Sequence, residues 1–262
     1  MRRTLIAVAV AWLCVAPASA RAGETDQPFL FSRSALAPAP SRGWVVLLPG
    51  ENELAFAKIK PHYQKAAHLL NAHGFDTLIV PYQEAYDEDL DGDPDDNGER
   101  VAAVTLRAVT WMRRTHAVPE DAPGAAVAWA EGAQGLWALA TTGGKYPLAN
   151  LVAAAAFYPV INEAAPFNSR VAVLVQIGAE DETSKTLSRY FATRASGGVE
   201  PELIVLQDAA RAFDVERFAE PKTVRNVPLI GTQTTLAYNA SAANAAEQKM
   251  LAFLKARLEA PE

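Results

Sequence analysis

Segment 125–135 has the composition of a strand, a sharp turn and a helix of the kind that exposes a catalytic nucleophile. It reads Ala-Ala-Val-Ala-Trp-Ala-Glu-Gly-Ala-Gln-Gly. In such a turn the nucleophilic Ser or Cys has small neighbours, because other backbone passes close by. The pattern small-x-nucleophile-x-Gly-Gly, placed on residues 130–135, puts the apex at Gly132. No Ser, Thr or Cys lies between Gly124 and Ala140, so the sequence predicts a nucleophile turn with a vacant apex.

Buried strands and helices alternate on both sides of this turn. Strands are predicted at 44–48, 76–80, 125–129, 151–157, 171–177 and 202–206, and helices at 63–73, 99–114, 134–142, 183–195 and 240–258. The strands are short continuous apolar runs, which indicates a sheet covered on both faces. The alternation predicts one α/β domain over residues 44–262, a mostly parallel sheet between two layers of helices. Residues 21–43 show no periodicity and are predicted to form an extended arm.

In this order the segments resemble the dienelactone hydrolase family of the α/β-hydrolase superfamily, over roughly residues 44–258. The resemblance implies an α/β-hydrolase fold. The matching segments are the first core strand with its oxyanion-loop glycine (44–50), a second strand (74–82), an x-Phe-Tyr-Pro strand end (156–159), a G-x-x-D turn (177–181), the base loop (210–213) and the final helix (238–258).

The resemblance implies a role for one residue in each of three loops. In such enzymes a Ser or Cys attacks the acyl carbon, a His takes its proton and an Asp orients the His. These roles fall on Gly132, Arg211 and Asp181 respectively. Glycine has no side chain for attack, and an arginine with a pKa above ~12 does not accept a proton near neutral pH. Only the acid is retained.

Other residues are expected to border the former site. They are Gly50, Glu51, Glu131 and Ala133. The two glutamates are interpreted as solvated acids, with Glu51 a relic of contact with a resting nucleophile. We expect Asp181 to be either a turn or helix-capping residue before Thr183, or the partner of an Arg211 guanidinium that replaces the imidazole, since a partly buried carboxylate needs a compensating charge.

Histidines and tryptophans offer weaker candidates. The histidines at 62, 68, 73 and 116 fall on or beside predicted outer helices, lack metal-ligand spacing and are expected at the surface or at helix ends. The tryptophans at 111, 129 and 137 are expected to pack in the core, with Trp129 a candidate to line a pocket because it precedes the turn.

An acidic run at 87–97 partly matches a calcium-binding loop. Its candidate ligands are Asp87, Asp89, Asp91, Asp93 and Asp95, with Gly92 at the sharp turn. The twelfth position, which needs a bidentate Glu, is Gly98, and Glu99 comes one residue late. A solvated acidic loop is the favoured interpretation, and Ca²⁺ binding at 87–99 is the alternative.

The first twenty residues have the features of a secretory signal peptide. Two arginines precede an apolar run from Leu5 to Val15 and a small-residue end, Pro17-Ala-Ser-Ala20. Cleavage after Ala20 would remove Arg2 and Arg3, and with them the one cysteine, and would change the formal charge from −6 to −8. We therefore expect a periplasmic or secreted protein without a disulfide. Nucleic acid and anionic membranes are disfavoured as partners.

Together these features predict an exported pseudo-hydrolase that lacks the usual triad. Its former cleft either binds a partner or a small ligand, for which the charge of Arg211 favours an acidic one, or is closed by an Arg211–Asp181 pair. The first alternative is an active ester or lactone hydrolase with a non-standard site, because fold does not fix function. The second is a calcium-stabilised structural or interaction protein. The sequence does not determine an oligomeric state.

Overall fold

The computed structural model describes residues 28–36, 41–50, 56–94, 96–161, 167–194, 198–227 and 231–259. The strands are β1 Leu30–Ser32, β2 Trp44–Leu48, β3 Asp76–Ile79, β4 Gly124–Trp129, β5 Leu151–Phe157, β6 Ala172–Gly178, β7 Glu202–Leu206, β8 Lys222–Val227 and β9 Gly231–Leu236. The helices are α1 Phe56–Ala72, α2 Tyr82–Ala85, α3 Glu88–Asp91, α4 Asn97–His116, α5 Gly132–Ala140, α6 Ser184–Arg194 and α7 Ala240–Leu258.

Seven strands form one sheet in the order β1-β3-β2-β4-β5-β6-β7. All neighbours pair in parallel except β1, which runs antiparallel to β3. The central strands β2 and β4 are buried at every residue, as expected for a sheet with helices on both faces. Each predicted core strand is present with bounds within one residue of the prediction, and the fold class predicted from the sequence is confirmed.

The strand β1 comes from the segment predicted to be an extended arm, so this part of the prediction missed a strand. Leu30, Phe31 and Ser32 pair with Ile79, Leu78 and Thr77 of β3. Just after β1, the Arg33 guanidinium lies 3.1 Å from Asp76 Oδ2, and the backbone N–H of Ser34 donates to Asp76 Oδ1 at 2.8 Å. The arm is thus attached to the edge of the sheet.

The strands β8 and β9 form a separate antiparallel hairpin that the sequence did not predict. An isolated bridge joins Arg211 to Leu236 at the end of β9, and Ala237 N–H donates to the Arg211 carbonyl at 3.0 Å. The hairpin therefore holds the loop that follows β7. Among the described residues, no helix is both long and apolar enough to cross a membrane.

Candidate functional site

The turn between β4 and α5 has its apex at Ala130, not at Gly132. Ala130 has φ +47°, a left-handed conformation that is uncommon for a residue with a Cβ and occurs at strained functional turns. Its N–H donates to the Phe157 carbonyl at 3.1 Å, and its carbonyl accepts from Val160 N–H at 3.0 Å. The end of β5 therefore fixes this conformation. The apex of the turn, which the sequence analysis placed at Gly132, is therefore at Ala130, whose side chain is a methyl group.

Gly132 has a packing role at the start of α5. A Cβ built there would lie 2.4 Å from the Leu48 carbonyl oxygen and 2.6 Å from that of Pro49. Only glycine fits such an approach, because real side chains essentially never come within 3.0 Å. The glycine that sequence reasoning took for the apex thus allows α5 to pack against the end of β2.

Gly50 lies directly beside the apex. A Cβ on Gly50 would be 2.8 Å from Ala130 Cβ and 3.4 Å from Glu131 Oε2. The structure therefore brings together Gly50, Ala130 and the buried Glu131, while Ala133 is buried in the first turn of α5. Glu51, the other residue expected here, lies outside the described residues. The expectation of a solvated carboxylate is wrong for Glu131, which is only 5% exposed.

The amide of Gly50 already has a partner. Its N–H donates to the Tyr63 hydroxyl oxygen at 2.9 Å. By the resemblance, this loop supplies a donor for the oxyanion in active hydrolases. A substrate oxygen at this amide would have to displace Tyr63.

Asp181 and Arg211 form a buried ion pair. Arg211 Nη1 lies 3.1 Å from Asp181 Oδ2, and the two side chains are 3% and 0% exposed. The other oxygen of Asp181 accepts from Thr183 N–H at 2.8 Å and from the Thr183 hydroxyl at 2.7 Å. The two interpretations of Asp181 therefore both apply, since one oxygen caps the turn before α6 and the other pairs with Arg211.

Close packing of the two loops makes this pair possible. Gly178 ends β6, and a Cβ there would lie 2.1 Å from the Ala209 carbonyl oxygen. Glu180 N–H also donates to that carbonyl at 2.9 Å. The loop after β7 thus lies directly on the loop after β6 and carries Arg211 to Asp181.

A second buried carboxylate, Asp214, was not identified from the sequence. It accepts hydrogen bonds from Trp129 Nε1 and from the Tyr158 hydroxyl, both at 2.8 Å, and His62 Nε2 lies 3.4 Å from its Oδ2. These partners come from β4, from the end of β5 and from α1. Asp214 therefore joins three elements at the carboxyl ends of the central strands, where the apex also lies.

This network favours the ionised form of Asp214. Burial raises the pKa of the Asp214 carboxyl, but the charge of His62 and the hydrogen bonds from Tyr158 and Trp129 outweigh it and lower the pKa below its ordinary value. Burial also raises the pKa of the Tyr158 hydroxyl. Tyr158 thus remains a neutral donor, and its ring lies 5.4 Å from the Arg211 guanidinium carbon. A chain of contacts consequently links the two carboxylates.

His62 is not a surface histidine as predicted. Its side chain is 12% exposed and packs edge-on against the rings of Tyr63 and Trp129, with centroid distances of 5.0 and 5.6 Å. Trp129 is buried, and its indole N–H bonds Asp214. A Pro61-His62 pair in a helix gave no sequence signal for this role. A signal that could have pointed to Asp214 is the Trp that ends β4 and the Tyr that follows β5, because buried ring donors need an acceptor.

The described members of the acidic run are not gathered around one centre. Asp87 caps α3 by accepting from Asp89 N–H at 3.0 Å, and Asp91 accepts from Arg107 Nε and Nη2 at 2.8 and 2.9 Å. Asp93 follows the end of α3, and Asp95 lies outside the described residues. In the part of the chain that is described, no group of three His, Cys, Asp or Glu side chains could hold a metal ion.

Comparison with known proteins identifies the architecture. No family model and no curated protein matches the chain. Among solved structures, it is similar to dienelactone hydrolase from Anabaena variabilis, with a TM-score of 0.57, 12% identity, and 87% of this chain and 91% of that chain covered. It is also similar to esterase 2 of Thermogutta terrifontis, with a TM-score of 0.56, 14% identity, and 87% of each chain covered.

A dienelactone hydrolase-like promiscuous phosphotriesterase from metagenomic libraries gives a TM-score of 0.55 and 22% identity, with 86% of this chain and 90% of that chain covered. Identities this low establish the fold alone. The resemblance seen in the sequence is confirmed at that level: the chain has the α/β-hydrolase fold in the form found in dienelactone hydrolase and related esterases.

Proposed function

We propose that this protein is an exported, dienelactone-hydrolase-like pseudo-hydrolase that does not turn over esters. One observation carries the proposal: the side chain at the apex of the nucleophile turn is the methyl group of Ala130, held at φ +47°. A methyl group offers no lone pair with which to attack an acyl carbon. The turn keeps the geometry of a nucleophile elbow without its reacting atom.

The base position supports the same conclusion. Arg211 replaces the histidine and is paired with Asp181 at 3.1 Å. Its guanidinium stays protonated at any physiological pH, so it neither accepts a proton nor activates water. Arg211 also supplies the positive charge that compensates the buried Asp181 carboxylate, so no imidazole is required as its partner.

The burial of Arg211 favours the closed form of the site. At 3% exposure and with one nitrogen on Asp181, the guanidinium is not presented to bulk solvent. Its Nη2 has no hydrogen-bond partner among the described residues, which supports a small carboxylate as the ligand class if the site opens. Thermal-shift measurements with acetate and propionate separate the two possibilities. If the Arg211–Asp181 pair closes the site, the melting temperature stays unchanged. If the site binds carboxylates, the melting temperature rises with their concentration.

One observation favours the alternative of a non-standard hydrolase. His62 and Asp214 form an imidazole–carboxylate pair beside Trp129, the residue before the apex. Such a pair acts as a general base toward water in other sites. The alternative therefore names His62 as the base, with water as the nucleophile.

Ester hydrolysis decides between these two functions. We expect purified protein to hydrolyse 4-nitrophenyl acetate no faster than a His62→Ala variant does, and no faster than an exposed-residue control, Lys222→Ala. Turnover that is lost in His62→Ala and retained in Lys222→Ala would establish the alternative. A double variant, Ala130→Ser with Arg211→His, tests whether the turn accepts a restored nucleophile.

The export part of the proposal has its own test. It depends on residues 1–20, which lie outside the described part of the chain. Expression in a Gram-negative host, followed by fractionation and N-terminal sequencing, is expected to yield a periplasmic protein that begins at Arg21. Recovery of the uncleaved chain in the cytosol would contradict export and leave the catalytic question unaffected.

A further inference from the structure

A cavity of about 540 Å³ runs along the outer face of α5, away from the residues discussed above. It extends from the first residues of α4 to segment 167–169 and to Tyr190 of α6. Its volume is typical of small-molecule sites, which span about 300–1,000 Å³. Neither Ala130, Asp181 nor Arg211 lines it. Whatever the cavity binds does not reach the former catalytic position.

Aromatic side chains form much of its wall. They are Trp137, Tyr146, Phe167 and Tyr190. The Trp137 ring is held edge-on by Phe167 at 5.8 Å and by Phe191 at 6.3 Å between centroids. These contacts fix the orientation of the indole, so it forms a rigid surface for a ligand ring.

Two of the three charged residues in the wall are paired with each other, with Lys145 Nζ 2.8 Å from Glu99 Oε2. The third, Asp96, caps α4 by accepting from the backbone N–H of Glu99 at 2.8 Å. An anionic ligand would have to compete with Glu99 for Lys145, and a cationic one with Lys145 for Glu99. The Lys145–Glu99 pair therefore favours an uncharged ligand.

Neutral polar groups provide the hydrogen bonds. Asn97 Nδ2 donates to Gln134 Oε1 at 2.8 Å, so two carboxamides lie side by side in the wall. A carboxamide both donates and accepts, so this pair matches a ligand that carries hydroxyl groups.

We propose that this cavity binds a neutral saccharide. The C–H faces of a sugar ring pack on aromatic surfaces such as Trp137 and Tyr146, and its hydroxyl groups both donate to and accept from carboxamides. The combination of aromatic wall, carboxamides and a paired lysine and glutamate matches this chemistry. The proposal does not depend on whether the elbow is catalytic.

Saturation-transfer NMR with cellobiose, maltose and chitobiose tests the proposal on the purified protein. We expect at least one disaccharide to bind with a Kd of about 1 mM or tighter. Trp137→Leu and Tyr146→Ala are each expected to weaken binding about tenfold. Tyr146 is half-buried in an irregular segment outside the helices and strands, which makes its variant the safer one for folding. Trp111→Leu, at a half-buried indole outside the cavity, is the matched control and is expected to bind normally.

Two results would overturn the proposal. The first is no transfer to any of the three disaccharides at about 10 mM, a concentration that detects even millimolar affinity. The second is transfer that is unchanged in both cavity variants when circular dichroism shows them folded. Indole serves as a further probe: binding of indole alone, dependent on Trp137, would identify an apolar-ligand cavity instead. Ester hydrolysis is measured separately and is not expected to change in any of these variants.

Discussion

His62 Nε2 lies 3.4 Å from Oδ2 of the buried Asp214, and the two residues come from chain segments 152 positions apart in a helix and a loop. The distance suits an ion pair. Trp129 and Tyr158 supply the hydrogen bonds to the same carboxylate. A buried carboxylate with this many partners stabilises the fold only while it is ionised.

The first prediction concerns Asp214 and pH. Because its folded-state pKa is lowered, its contribution is fully present above the unfolded pKa of about 3.9 and is lost as pH falls through the folded value. Asp214→Asn is expected to destabilise the protein by about 2–4 kcal/mol at neutral pH. Urea unfolding should show this difference unchanged down to about pH 5 and shrinking as the pH falls further.

Asp208, in the same loop, provides the control for the Asp214→Asn variant. Asp208 is exposed and has φ +53°, a conformation that Asn adopts readily. Asp208→Asn should therefore leave stability nearly unchanged at every pH. A difference between wild type and Asp214→Asn that stays constant or grows on acidification would contradict an ionised Asp214.

The second prediction distinguishes the two positions proposed for the apex. Gly132→Ala would place a Cβ 2.4 Å from the Leu48 carbonyl oxygen and is expected to destabilise the protein by about 1–3 kcal/mol. Ala130→Gly removes a Cβ from a left-handed residue and should stabilise by about 1 kcal/mol. Equilibrium unfolding of both variants measures these effects. Destabilisation by Ala130→Gly, the usual effect of glycine at a residue with an ordinary negative φ, would contradict an apex at Ala130.

The third prediction concerns the Asp181–Arg211 pair. Arg211→Met leaves a buried carboxylate without its countercharge and is expected to cost about 3–5 kcal/mol. Asp181→Asn keeps an acceptor for Thr183 while removing the charge, so the double variant should be less destabilised than Arg211→Met alone. A double-mutant cycle by chemical denaturation measures the coupling. Additive effects would indicate that the pair contributes nothing to stability.

The fourth prediction concerns calcium. Since Asp91 is bonded twice by Arg107, we expect about 1 mM Ca²⁺ to leave the melting temperature unchanged, whereas it would saturate a sensor-type loop. Asp91→Asn should lower the melting temperature in metal-free buffer because it weakens a charge-assisted pair. A calcium-dependent rise in wild type that disappears in Asp91→Asn would support the calcium-stabilised alternative.

The sheet was predictable because its strands carry their signal locally. Runs such as Trp44–Leu48 and Leu151–Phe157 are apolar at nearly every position and end at Pro49 or Tyr158-Pro159. Burial on both faces imposes that composition whatever the neighbouring strands are. The hairpin of β8 and β9 has no such signal, because its residues are largely polar.

The candidate site was predicted only in part, for two physical reasons. The apex was placed two residues late because the pattern small-x-nucleophile-x-Gly-Gly was aligned on residues 130–135, whereas Gly132 is required by packing and Ala130 has the left-handed φ. The Asp214 network was missed because its members are distant in sequence. The Asp181–Arg211 pair was predictable because the two loops keep the order seen in the resembled family.

The strand β1 determines where this protein can be shortened. The resembled domain starts at Trp44, so trimming the chain to that residue looks harmless from sequence. Such a chain would lose the antiparallel partner of β3 and the Arg33 contact to Asp76, leaving the backbone N–H and C=O groups on one side of β3 unpaired. An unpaired strand edge readily associates with other chains. Without the arm, the edge of the sheet would be the buried strand β3 in place of the three-residue β1.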